Sequence, residues 1–242
     1  AFQSGSLYPT WSGGMMIAPS DSSADAATVE QTRTVFFDRQ GVQAGSVTFW
    51  VDGAAKVRVR SVAVDAKRRV LAGGNAVASD GKLAGFMILT DLSGKPGVTI
   101  RLNPYAPESV CFGEDGTLWA LVSLIDMDGS SVGTDYPVLR QYSAEGKLLQ
   151  AVLARSRFKG GIPPALTTGG GGEVIMQANR SHLGILFGHA NLWVEVDGQG
   201  SVKESSFEGL PFLEPQGDAT GRSKSFGGLA FLDSGAVFVS QS

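Results

Sequence analysis

The 242-residue chain holds one cysteine and two histidines, and Asp, Glu, Lys and Arg together make up only 18% of it. A single cysteine, Cys111, excludes an internal disulfide, and no Cys/His cluster has the spacing of a zinc site. In "SVCF" (109–112) that cysteine reads as a small buried hydrophobe. No apolar run approaches the roughly 18 residues that a membrane-spanning helix needs, so the chain is not expected to span a membrane. Long amphipathic helices would want more Glu, Lys, Arg and Leu than this sequence has. The net charge of −3 and the pI near 5.4 argue against a nucleic-acid partner. Even the most basic stretch, "KVRVR" (56–60), alternates charge with valine, as a strand with one wet face does.

Glycine is abundant, at 33 residues, and it falls in frequent Asp-Gly and Ser-Gly pairs between short runs rich in Val and Thr. That composition suits short strands joined by tight turns. Two hairpin types alternate along the chain. The first, called inner here, appears as "SVAVDAKRRVLAG" (61–73), "SVCFGEDGTLWAL" (109–121) and "GLAFLDSGAVFVS" (228–240). A degenerate copy, "ALTTGGGGEVIMQ" (165–177), is expected to turn at its glycine run. These copies start 48, 56 and 63 residues apart. The second, outer type turns at Asp38-x-x-Gly41, Asp91-x-x-Gly94, Ser143-x-x-Gly146 and Asp197-x-x-Gly200, each followed by a further strand. Asp or Ser opens such a turn by accepting from nearby backbone N–H groups, and glycine takes the positive φ that follows.

Paired hairpins repeating at forty-odd residues or more predict an all-β fold, a β-propeller of four to six blades with four antiparallel strands each. A βαβ fold would need amphipathic helices between strands, and a two-sheet sandwich does not predict regular alternation of two hairpin types. Residues 30–242 are read as the propeller domain, and residues 1–29 as an N-terminal extension or extra strands. The chain starts on an outer hairpin (Val35 to Trp50) and ends on an inner one, so pairing of its N- and C-terminal segments is expected to close the ring. Trp50, Trp119 and Trp193 are placed in strands, filling the space between blades.

The repeat unit "SVCFGEDGTLWALV" (109–122) resembles the innermost strand pair of the NHL-like and senescence-marker-protein-like propellers, and the resemblance covers most of residues 30–242. It implies a channel-mouth site holding a divalent metal by carboxylates and asparagines, as in the lactonases of that class. Here the residues just before the inner strands are Arg60, Glu108, Pro164 and Gly227, a single carboxylate among four, too few oxygens for a hard cation.

Other constellations fare no better. "DMDGSSVGTD" (126–135) sets out Asp126, Asp128 and Asp135, but Ser131 and Pro137 stand where a calcium loop needs Gly and Glu. His182 and His189 lie on either side of "LGILFG" with no nucleophile motif near them. The run "TTGGGGE" (167–173) lacks the Gly-Lys-Ser/Thr ending of a phosphate loop, and Asn179-Arg180-Ser181 matches a glycosylation sequon. No catalytic, cofactor-binding or metal residues are therefore assigned. The chain begins at Ala1 with no leader before it, and low charge with abundant Gly, Ser and Thr suggests an exported protein, periplasmic or secreted. The function expected is a non-enzymatic extracytoplasmic scaffold that binds another protein. The alternative is a metal-dependent lactonase or esterase drawing on Glu30, Glu108 or Asp233.

Overall fold

The computed structural model describes residues 5–9, 15–19, 33–95, 97–125, 135–158, 174–187, 192–206 and 226–241. Eighteen strands hold most of these, and the one helical element among them is a 3-10 turn at Arg155–Arg157. The strands form meanders in chain order. The first sheet holds β1 (Gly5–Pro9), β2 (Met15–Pro19), β3 (Arg33–Phe37) and β4 (Gln43–Thr48). The second holds β5 (Ala54–Val64), β6 (Arg69–Ala78), β7 (Leu83–Asp91) and β8 (Val98–Arg101). The third runs from β9 (Tyr105–Phe112) through β10 (Leu118–Leu124) and β11 (Pro137–Tyr142) to β12 (Leu148–Ala154). The fourth comprises β13 (Val174–Ala178), β14 (His182–Phe187), β15 (Leu192–Asp197) and β16 (Val202–Ser206). A last hairpin joins β17 (Phe226–Phe231) to β18 (Val237–Gln241).

Side chains alternate across a strand, so a strand buried on one face alternates apolar and polar residues, while one buried on both faces is apolar throughout. The middle strands here are of the second kind. On β7, Phe86 and Ile88 enter a core shared with the first sheet, whereas Met87 and Leu89 enter one shared with the third. On β10, Leu118, Ala120 and Val122 face the second sheet, and Trp119 and Leu121 face the fourth. On β14, Leu183, Ile185 and Phe187 face the third sheet, and Leu186 joins Trp193 and Phe231 beneath the last hairpin. Each fully buried Leu, Ile or Met contributes about 1.5–3 kcal/mol of transfer free energy. A sandwich would leave one face of every sheet wet. Sheets packed in series on both faces are the blade-by-blade construction of a β-propeller.

All four outer turns form as their sequences require. Gly41, Gly94, Gly146 and Gly200 have φ of 78°, 72°, 91° and 83°, and each donates its N–H to the carbonyl of the Asp or Ser that opens the turn. Asp38 and Asp197 each accept two further backbone N–H groups on Oδ1, from Gln40 and Val42 and from Gln199 and Ser201. Three expectations need correction. The first sheet does not lack its inner strands: Met15, Met16 and Ile17 of β2 pair with Phe37, Phe36 and Val35 of β3. In the fourth sheet the inner hairpin is β13–β14, turning at Asn179. The glycine run expected to make that turn lies outside the described residues. Asn179 Oδ1 accepts from the N–H groups of Ser181 and His182, so a side chain closes the turn without glycine. Finally, Trp50 follows β4 instead of lying in it, half-buried against the first core.

Candidate functional site

The innermost strands β5 and β9 each carry a bulge at the same register, five residues before their turns begin at Asp65 and Gly113. The ladder skips Arg60, between Val59 and Ser61, and Glu108, between Pro107 and Ser109. A bulge leaves one residue unpaired and re-aims its side chain. Here the two re-aimed side chains meet: Arg60 Nη1 donates to Glu108 Oε2 across the gap between the second and third sheets. Ser123 Oγ donates to Glu108 Oε1 at 2.6 Å, and Ser61 Oγ accepts the backbone N–H of Val110 at 3.1 Å. The Arg60 and Glu108 side chains keep 24% and 18% of their exposure, so water reaches the pair. Two of the four residues expected just before inner strands thus lie within them instead, and are brought together as partners.

The same register in β13 and β17 holds Val174 and Gly227. Val174 replaces Pro164, which lies outside the described residues, because the fourth hairpin is displaced along the chain. Both oxygens of Glu108 are already engaged. Asp233, at the exposed turn of the last hairpin, accepts from Arg180 N and pairs with Arg180 Nε at 3.0 Å. Glu108 and Asp233 are therefore tied to different partners, one within a strand and one at a turn, and Glu30 lies outside the described residues. Among the described residues no three His, Cys, Asp or Glu side chains are grouped to hold a metal.

The remaining sequence candidates go into structure. Asp126, Asp128 and His189 lie outside the described residues. Asp135 binds the N–H and Oγ of Ser156 at 2.9 and 2.7 Å, and these bonds hold its carboxyl below the usual range. His182 Nδ1 lies 2.7 Å from Ser181 Oγ at the start of β14. Burial pushes the Cys111 thiol up to about 12, which leaves it unreactive at neutral pH. Trp119 and Trp193 are buried between sheets and offer no open ring for stacking; Trp193 Nε1 donates to Glu195 Oε1 at 2.8 Å. Asn179 of the sequon is buried, and its Nδ2 donates to the Leu232 carbonyl at 2.9 Å, leaving no free amide for a glycan on the folded chain.

A second feature escaped sequence reasoning. Three of the four buried side-chain polar atoms without a hydrogen-bond partner among the described residues belong to Arg60, Asn75 and Arg140, all between the second and third sheets. Arg140 sits over the Tyr105 ring, 3.8 Å from its centroid. A motif search finds nothing here, because the three residues come from three strands.

No family model matches the chain, and no curated protein matches it. Among solved structures it is similar to virginiamycin B lyase from Staphylococcus aureus, at 10% identity and a TM-score of 0.42, covering 97% of this chain and 75% of that one. The periplasmic gluconolactonase of Pseudomonas aeruginosa gives 17% identity and a TM-score of 0.44, over 96% of this chain and 61% of that one. Scores this low decide nothing about activity, and the architecture rests on the sheets themselves.

Proposed function

We propose that this chain is a non-enzymatic, extracytoplasmic β-propeller that binds another protein, built as one ring in which the last hairpin sits between the fourth sheet and the first. The observation that supports the binding role is a row of exposed apolar side chains on the outer strands. Val42, Val98 and Leu148 are 61%, 38% and 44% exposed, and each lies within one residue of the start of an outermost strand, after an outer turn; Leu149, next to Leu148, is 49% exposed. A lone exposed apolar residue needs no explanation, but recurrence near the start of the outermost strand in three successive sheets suits an apolar partner surface. The outermost strands β4, β8 and β12 also present an unpaired sheet edge among the described residues, to which a partner can dock. Among the described residues no helix is long and apolar enough to cross a membrane. The extracytoplasmic placement rests on the low charge and on the abundance of Gly, Ser and Thr.

Purification from the native source, with the wild type and L148E/L149E compared side by side, tests the reading. The expected result is one companion at fixed stoichiometry with the wild type, lost from a variant whose urea midpoint is unchanged. A clean monomer in both preparations, or a companion retained by the variant, contradicts it.

A further inference from the structure

We infer that the gap between the second and third sheets, at the end away from the inner turns, binds a small oxyanion. The ladders bring its residues to neighbouring strands: Arg60 bulges between the rungs of Gly73 and Gly74 on β6, the strand that carries Asn75. Arg60 reaches from β5 to Glu108 on β9. On the same face of the second sheet, Asn75 is the cross-strand partner of Gly85. Gly85 abuts the start of β9 so closely that a Cβ on it would lie 1.8 Å from the Tyr105 carbonyl oxygen. The ring of that Tyr105 carries Arg140. Buried polar atoms are almost always paired, and a cluster of exceptions marks a place where something else supplies the partner. Two of the exceptions, Arg60 Nε and Arg140 Nε, are cationic donors, and the third, Asn75 Oδ1, is an acceptor.

The charges point the same way. Glu108 is engaged by Arg60 and Ser123 and so neutralises one guanidinium, while Arg140 is held by an aromatic face and by Tyr142. Among the described residues no carboxylate pairs with Arg140. Guanidinium N–H groups bind carboxylate and phosphate oxygens in the plane of the fork, and such charge-assisted bonds are about twice as strong as neutral ones. Asn75 adds an acceptor for a hydroxyl on the same ligand. The partial exposure of Arg60 leaves a way in.

Calorimetric titration of the full chain with sodium sulfate and, separately, sodium acetate, at ionic strength held constant with chloride, tests this. Sulfate stands for a tetrahedral oxyanion and acetate for a carboxylate, so the anion that saturates identifies the class. The expected result is saturable binding at one site per chain, weakened at least tenfold in R140Q. It is weakened likewise in R60Q/E108Q, which removes both members of the ion pair and leaves no lone buried carboxylate. Should the double variant fail to fold, R140Q alone decides. Absence of saturation by either anion, or R140Q binding as tightly as the wild type, overturns the inference.

Discussion

At the scale of single residues, the inner turns show what one φ angle costs. Gly116 and Gly235 hold the fourth position of their turns at φ 85° and 81°, and the equivalent position of the β5–β6 turn is Arg68, at φ 65°. An L-residue in that region carries a penalty of about 1–2 kcal/mol that glycine does not. Arg68 is exposed, and its N–H, which donates to the Asp65 carbonyl, survives substitution. R68G is therefore expected to stabilise the fold by about 0.5–1 kcal/mol, once glycine's extra freedom in the unfolded chain is subtracted. A raised urea midpoint bears this out; an unchanged or lowered one means other contacts of Arg68 outweigh the strain. Arg60 and Glu108 teach a different lesson. Read from the sequence they stand just before the inner strands, whereas they lie within β5 and β9, at bulges. That they pair across two sheets could not be read there, because nothing in the spacing of residues 60 and 108 tells which way a bulge turns a side chain.

At the scale of elements, turns were the most legible feature. An Asp or Ser three residues before Gly fixes both the opening acceptor and the positive φ, and all four outer turns obey it. The β13–β14 turn is hidden in the sequence because Asn179 closes it without glycine, while a conspicuous glycine run lies nearby. The turn carboxylates also give the fold its acid sensitivity. Asp197 is held below its ordinary 3.8 chiefly by the Ser201 N–H, and Asp91 chiefly by the Ser93 hydroxyl. A carboxyl whose folded pKa is depressed contributes stability that is present above the unfolded value and lost as pH falls through the folded one. Urea midpoints should then decline as pH drops below about 5, and D91N/D197N should show a shallower decline. Equal slopes for variant and wild type would remove these turns from the account.

Packing between elements gives a sharper test. Gly184 on β14 lies under Trp193, and a Cβ there would sit 2.1 Å from Trp193 Cη2 and 3.0 Å from Phe231 Cδ1. The indole fills the interface between the fourth sheet and the last hairpin, edge-on to Phe231 with centroids 5.1 Å apart. G184A is expected to cost about 1–3 kcal/mol, as overpacking of a close-fitted core does. A loss below about 0.5 kcal/mol would mean that the indole has room to move aside and that this interface is loose.

At the scale of the whole molecule, alternation of the two hairpins was enough to predict sheets in series. The sequence did not show that β1 and β2 complete the first sheet, since "GSLYP" and "MMIAP" lack a turn signature like those of the later copies. With the first sheet complete, the last hairpin becomes the start of a fifth, and ring closure requires it to meet the first sheet on one side as it meets the fourth on the other. Closure is worth testing because it removes exposed sheet edges and fixes the outer row of apolar residues as one surface. Spin labels at S234C and Q40C measure it directly, with S234C and Q199C as a control pair spanning the last hairpin and the neighbouring fourth sheet; Cys111, buried with its thiol pushed up to about 12, stays unlabelled. A closed ring predicts similar pulsed-dipolar distances for the two pairs. A Q40C–S234C distance much longer than the Q199C–S234C distance, on the scale of the whole molecule, would show an open series of sheets and contradict the ring.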